Sequence, residues 1–340
     1  MMVSNETSLS LWTCLHSMRI ISWNLPCTLC RLASVIIFLI SIACFTFNIR
    51  FLFSHRCQNS LVVSLFLAST MVLIISVPGI LVQLFTCHRH CSNIYCRIEG
   101  FISYLSGCLC MLLFVMLSFH RYLSLCSYDG LLSYRYSTLI CWLLSIAFTF
   151  PLVFDYFNSY VPEGLGFHCS INWQDQTNLS RLYILLSFIL MYFLPLVILF
   201  FVHLRSHFII RDVYSKHCLI PSFSECSYEM SSTRISRQTD DFERYLYVNR
   251  YCVRKAADRR RFREDYRILQ FSMYLVCSYL FSWTPYSIIA ILQLLKIKFI
   301  FQHTFFITLS AFIAKLSVIL APVVYFSIMN HSLLKKLLLK

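Results

Sequence analysis

Lys315 lies near the middle of a run, Thr304 to Ile328, that carries no other charge. A lysine at bilayer depth costs roughly 2.5–3.5 kcal/mol on insertion scales, so its presence calls for a use. It stands more than ten residues from either end of the run. That is about 15 Å of helix, too far for the side chain to snorkel out. A buried amine of this kind must be neutral, ion-paired, or used covalently as a Schiff base. No phosphate-cradling loop, metal-ligand cluster or hydrolase constellation accompanies it, which argues against an enzyme, a metal site and a nucleic-acid partner.

The elements that must hold this lysine are membrane helices. The chain of 340 residues is 58% hydrophobic and 13% charged, with mean hydropathy +0.68, a balance foreign to soluble domains. Seven apolar runs are each long enough to span a bilayer: about 32–53, 60–85, 97–119, 137–157, 182–204, 268–293 and 304–328. Pro78, Pro151, Pro195, Pro285 and Pro322 fall within them, and neighbouring helices can re-satisfy the carbonyls they free. The expected fold is an all-α seven-transmembrane-helix bundle with a short amphipathic helix at the C-terminus.

The net charge of +14 is unevenly spread. Arg254, Lys255, Arg259, Arg260, Arg261 and Arg263 precede the sixth run, Arg50 and Arg56 follow the first, and Lys335, Lys336 and Lys340 end the chain. Their common side is cytoplasmic by the positive-inside rule, so the N-terminus is outside. The expected organisation is an extracellular segment 1–31, a seven-helix domain 32–328 with a long inner loop 205–265, and a cytoplasmic tail 329–340. The sequons at Asn5 and Asn178 fall on the outer side. Segment 1–31 lacks signal-peptide anatomy. Many of the 17 cysteines lie inside the spans as small hydrophobes. Cys14, Cys27, Cys30, Cys87, Cys91, Cys96 and Cys169 fall outside, in an oxidising location, and spacing alone leaves their pairing open.

Motifs along the spans narrow the class. The third run opens Cys96-Arg97-Ile98-Glu99 and closes Phe119-His120-Arg121-Tyr122. The second outer loop reads Val161-Pro162-Glu163-Gly164 and then Cys169. The sixth run holds Ser282-Trp283-Thr284-Pro285-Tyr286. The seventh holds Ala311-Phe312-Ile313-Ala314-Lys315 and Ala321-Pro322-Val323-Val324-Tyr325. This ordered set resembles the rhodopsin-like G-protein-coupled receptors, and within them the opsins, with Lys315 in the register of the retinal lysine.

The resemblance implies a light-sensitive receptor in the plasma membrane or a photoreceptor membrane, binding 11-cis or all-trans retinal as a Schiff base on Lys315. Glu99 stands one helical turn below Cys96 and would be the counterion, with Glu163 as a second acidic site. An alternative leaves Glu99 at the rim, paired with Arg97. Cys96 and Cys169 would form the disulfide that pins the outer loop. Trp283, Tyr286, Tyr279 and Phe188 would line the pocket, and Gly107 would give the chromophore room. Arg121 and Asp265 would lock the inactive state, with Pro322 and Tyr325 in the switch of the seventh helix. The partners implied are a heterotrimeric G protein, membrane lipid and arrestin. The tail after Asn330 holds one serine, so phosphorylation for arrestin would draw on Ser231, Ser232 and Ser236 of the inner loop.

Departures from the family pattern keep two other readings open. His120 stands where a carboxylate is usual, Ser69 where the second helix usually has Asp, Ser41 where the first usually has Asn, and Ala321 replaces the Asn before Pro322. These changes favour a retinal photoisomerase with weak signalling. A receptor for a diffusible ligand, with Lys315 and Glu99 as a buried ion pair, is the third reading.

Overall fold

The computed structural model describes residues 27–53, 59–87, 92–126, 132–218, 273–274, 276–295 and 304–329. Their backbone forms seven helices: α1 (Cys27–Phe53), α2 (Ser60–Thr86), α3 (Asn93–Leu125), α4 (Tyr134–Thr149), a composite α5, α6 (276–294) and α7 (Thr304–Met329). Helix α5 runs on through Asn178–Phe188, a π turn Ile189–Phe193 and Leu194–Cys218. Pro195 explains the π turn, because it cannot donate to the carbonyl four residues back and the ladder widens there. The entries of three helices are capped by side chains. Asn59, Ser92 and Thr177 accept hydrogen bonds from the backbone N–H groups of Leu61, Tyr95 and Ser180.

Helices satisfy every backbone group internally, which lipid requires. Six of the described helices are long and apolar enough to cross a bilayer. Their residues sort into two environments. Leu65 and Phe66 of α2 and Leu109, Leu113 and Phe114 of α3 are sealed in the centre of the bundle, whereas Leu39 of α1, Leu143 of α4 and Phe200 of α5 are exposed on its lipid-facing surface.

Some helices outrun their apolar sequences, α5 and α1 among them. Helix α5 continues to Cys218, into the segment expected to be loop from 205. Hydropathy marks where the bilayer ends, not where the helix ends. Residues 205–218 contain no Gly or Pro, and a nucleated helix extends at the cost of one residue per bond. Helix α1 begins at Cys27, five residues before its apolar run, where a disulfide joins Cys27 to Cys87 at the end of α2. That bond settles two of the cysteines left open. Cys30 is a buried free thiol, while Cys14 and Cys91 lie outside the described residues.

Between α4 and α5 the chain turns through a short 3-10 segment (Phe150–Phe154) and makes a hairpin of β1 (Tyr160–Glu163) and β2 (His168–Ile171). Their antiparallel register sets Pro162 opposite Cys169 and Glu163 opposite His168. Gly164 and Gly166 turn the hairpin at φ 57° and 83°, the left-handed region that glycine enters without steric cost. The tip docks on α7, where Leu165 N–H donates to Thr308 Oγ1 at 2.8 Å.

Candidate functional site: a ligand cavity under the hairpin

The hairpin roofs a cavity of about 970 Å³ including its mouth, walled by α3, α5, α6 and α7. Phe188, Tyr279, Trp283 and Tyr286 form aromatic walls, and Gly107 and Lys315 face the same space.

Lys315 Nζ is paired directly with the Glu99 carboxylate, which is 1% exposed. Glu99 is held from two further directions. Ser103 donates to Oε1 at 3.1 Å, and the backbone N–H of Cys169 donates to Oε2 at 2.5 Å. Ser103 in turn bonds Ser76 of α2 at 2.8 Å. A buried carboxylate with three donors is a satisfied one. The disulfide Cys96–Cys169 lies one turn above, so a single face of α3 holds Cys169 both by its sulfur and by its backbone. The alternative of a rim glutamate is excluded, because Arg97 points away to Asp155 and to the carbonyl of Val153.

Glu163 has different partners. Its Oε2 meets His168 Nε2 at 3.1 Å and the Tyr286 hydroxyl at 3.0 Å, and Tyr286 accepts from Trp173 Nε1 at 3.0 Å. The two glutamates are thus separately committed, Glu99 to the lysine and Glu163 to a histidine and a tyrosine.

Trp283 joins α6 to two other helices. Its Nε1 donates to Ser317 of α7 at 3.0 Å, its ring lies 5.6 Å from that of Tyr279, and it packs on Gly107 of α3. A Cβ on Gly107 would come within 2.6 Å of the indole. Gly107 thus gives room to Trp283 and also lines the cavity, the position expected of it. Tyr279 donates to the Gly107 carbonyl at 2.7 Å, and Tyr192 bonds Thr284 at 3.0 Å across α5 and α6.

His120 and Arg121, expected to act in activation, lie at the opposite end of α3 from Glu99. His120 Nε2 bonds Ser137 Oγ of α4 at 2.9 Å, and its ring stacks on Tyr134 at 4.3 Å. Asp265, the expected partner of Arg121, is outside the described residues, as are Asn5, Ser231, Ser232, Ser236 and the side chain of Tyr325. Pro322 sits inside α7, and Asn178 is exposed at the outer start of α5. Asn48 corrects the assignment of the first-helix polar residue to Ser41. Its Nδ2 donates to Ser69 at 3.0 Å, and Ser69 donates on to the Ile319 carbonyl of α7 at 3.0 Å.

The sequence reading also passed over His168, Ser103, Ser76, Tyr192 and Ser317. A signal existed for His168: it and Glu163 flank a Gly-containing turn at matching positions, where period-two geometry brings side chains face to face. Serines in apolar spans carry no such signal, since most simply bond their own helix.

A bundle of seven helices around an apolar cavity, roofed by a disulfide-pinned hairpin, is the architecture of a membrane receptor. Residues 42–325 match the seven-transmembrane receptor (rhodopsin family) profile. Melanopsin of Felis catus is 25% identical over 236 residues, covering 68% of this chain and 43% of its own length. Rhodopsin of Procambarus milleri is 31% identical over 165 residues, covering 46% of this chain and 52% of that protein. The crystal structure of squid rhodopsin superposes with TM-score 0.69 at 18% identity, covering 94% of this chain and 89% of that one. The chain belongs to the rhodopsin family of seven-transmembrane receptors, and the relatives it matches are opsins. It spans less than half the length of the cat melanopsin.

Proposed function

We propose that this chain is a light-sensitive receptor that binds retinal through a Schiff base on Lys315, with Glu99 as counterion, and signals to a heterotrimeric G protein. The observation that carries the reading is the buried Lys315–Glu99 pair on the wall of an apolar, aromatic cavity. The residues fit the group: one amine in an apolar, aromatic space suits a long apolar aldehyde. Retinal supplies light absorption and a change of shape when bound. The protein's residues do the rest. Lys315 provides the attachment, and Glu99 provides the negative charge that keeps the linked nitrogen protonated in a site of low dielectric. Cys169 N–H and Ser103 fix that carboxylate's position. The hairpin excludes water, and Trp283 is the contact through which a change in the cavity reaches α6 and α7.

Similarity to melanopsins and rhodopsins supports this reading. So does the inner end of the bundle, where Arg121 is retained in α3. The plasma membrane and an arrestin partner belong to the same proposal. A retinal isomerase with weak signalling remains a second reading, favoured by His120, which is turned to Ser137 of α4. A dark-minus-light absorbance difference spectrum of the purified chain with retinal tests the first step. A light-sensitive visible band that Lys315→Ala abolishes is the expected result, and an unchanged band in that variant overturns the assignment. Light-dependent nucleotide exchange on a G protein then separates receptor from isomerase.

A further inference from the structure

Glu163 and His168 face one another as the last cross-strand pair of the hairpin, at 6% and 2% exposed. Donor chemistry fixes the direction of the bonds around them. An indole N–H can only donate, so the Tyr286 oxygen accepts from Trp173 and its own proton goes to Glu163 Oε2. The same oxygen meets His168 Nε2, and an ionised carboxylate only accepts, so with Glu163 ionised that nitrogen carries a proton. The remaining atoms, Glu163 Oε1 and His168 Nδ1, are buried without a hydrogen-bond partner among the described residues. Trp173 and Phe312 supply apolar surroundings. Burial disfavours an uncompensated charge, so the pair is net neutral, either as carboxylate with imidazolium or as acid with imidazole. The other titratable groups nearby are Tyr286 on α6, Lys315 on α7 and Glu99 on α3. Lys315 is paired with Glu99, and His168 is the basic group that faces Glu163.

We propose that His168 is a positioning residue of the ligand site: as an imidazolium it cancels the charge of Glu163 and leaves Glu99 as the single net negative charge facing the nitrogen on Lys315. This inference rests on the retinal reading given above. It explains how a site with two buried glutamates presents one charge to one cation, and it assigns a role to a histidine in the roof of the cavity.

The test is a dark pH titration of the visible band in the full chain reconstituted with retinal, run on E99Q, E99Q/H168N and E99Q/E163Q. The E99Q band should titrate at lower pH than wild type. Adding H168N should raise that midpoint by about one pH unit or more, because Glu163 then faces the site as a bare charge. Adding E163Q should leave the E99Q midpoint where it is, since a neutral amide beside a neutral ring carries the same net charge as the pair. No shift from H168N, or a further fall from E163Q, overturns the proposal. The ligand-free chain gives an independent readout. The imidazole nitrogen signals lost in H168N should report a charged ring near neutral pH, and a neutral ring in E163Q. A neutral ring in the unsubstituted chain also overturns the proposal. If the wild type takes up no retinal, the functional reading falls, and the ring signals still decide His168.

Discussion

The two ends of the bundle bury polar groups by different means. At the outer end they include an ion pair, Lys315 with Glu99, and a carboxyl–imidazole contact, Glu163 with His168. At the inner end the described contacts are neutral hydrogen bonds, Asn48 to Ser69, Ser69 to the Ile319 carbonyl, and His120 to Ser137. Magnitudes make the contrast meaningful. Removing one partner of a buried ion pair costs about 3–5 kcal/mol, whereas a neutral hydrogen bond contributes about 0.5–1.5 kcal/mol net. The outer end is therefore built to hold one arrangement. The neutral contacts described at the inner end can be exchanged at lower cost than the Lys315–Glu99 pair.

The comparison breaks most easily at Glu99. In the ligand-free chain, Glu99→Gln should lower stability by about 3–5 kcal/mol, because it strands the amine of Lys315 in a buried site. Thermal unfolding in detergent measures this. A loss under about 1 kcal/mol would mean that the amine has another partner and that the outer end is not held by charge.

The two disulfides sharpen the same point. Cys96–Cys169 and Cys27–Cys87 close sequence separations of 73 and 60 residues. Chain entropy grows with the logarithm of loop length, so on that ground their loss should cost nearly the same, about 2–5 kcal/mol each. Only Cys169 also gives its N–H to Glu99. Cys169→Ser keeps that N–H but frees the strand that aims it, so its loss of stability should exceed that of Cys27→Ser by up to about 1.5–3 kcal/mol, the worth of a hydrogen bond to a charged group. Equal losses would detach the hairpin from the support of Glu99.

How legible this was in the sequence depends on the physics behind each residue. Apolar runs gave the spans because lipid admits few alternatives, and Lys315 stood out because its burial is costly. The partner of Lys315 was readable through the turn that separates Glu99 from Cys96. The partner of Glu163 was not, because it arises from hairpin register, and register was not worked out from a loop with few alternating residues. Ser103, Ser76 and Ser317 resemble any serine in a membrane helix until their neighbours are known. Asn48 was missed for Ser41, since both are polar residues in one apolar run and only packing tells which meets Ser69.

Gly107 tests the contact between the cavity and α6. Gly107→Ala sets a methyl within 2.6 Å of the Trp283 ring, and overpacking of this kind costs about 1–3 kcal/mol. The expected outcome is a modest fall in melting temperature together with a change in tryptophan fluorescence, as the indole leaves Ser317. An unchanged spectrum would mean that Trp283 can tilt away without loosening its hold on α7.

The smallest effect should come from the inner end. Ser137→Ala alone leaves His120 Nε2 buried without its partner, at a cost of about 1–3 kcal/mol. Replacing both groups, as His120→Phe with Ser137→Ala, removes donor and acceptor together and keeps an aromatic ring to stack on Tyr134. That double change should lie within about 0.5 kcal/mol of wild type. The corresponding double change at the outer end, Lys315→Met with Glu99→Gln, still leaves the Cys169 N–H and the Ser103 hydroxyl facing an altered group, so it should not recover fully. If the inner double variant proves as unstable as Glu99→Gln, the inner end is as tightly specified as the outer, and cheap exchange of partners there is not how the bundle moves.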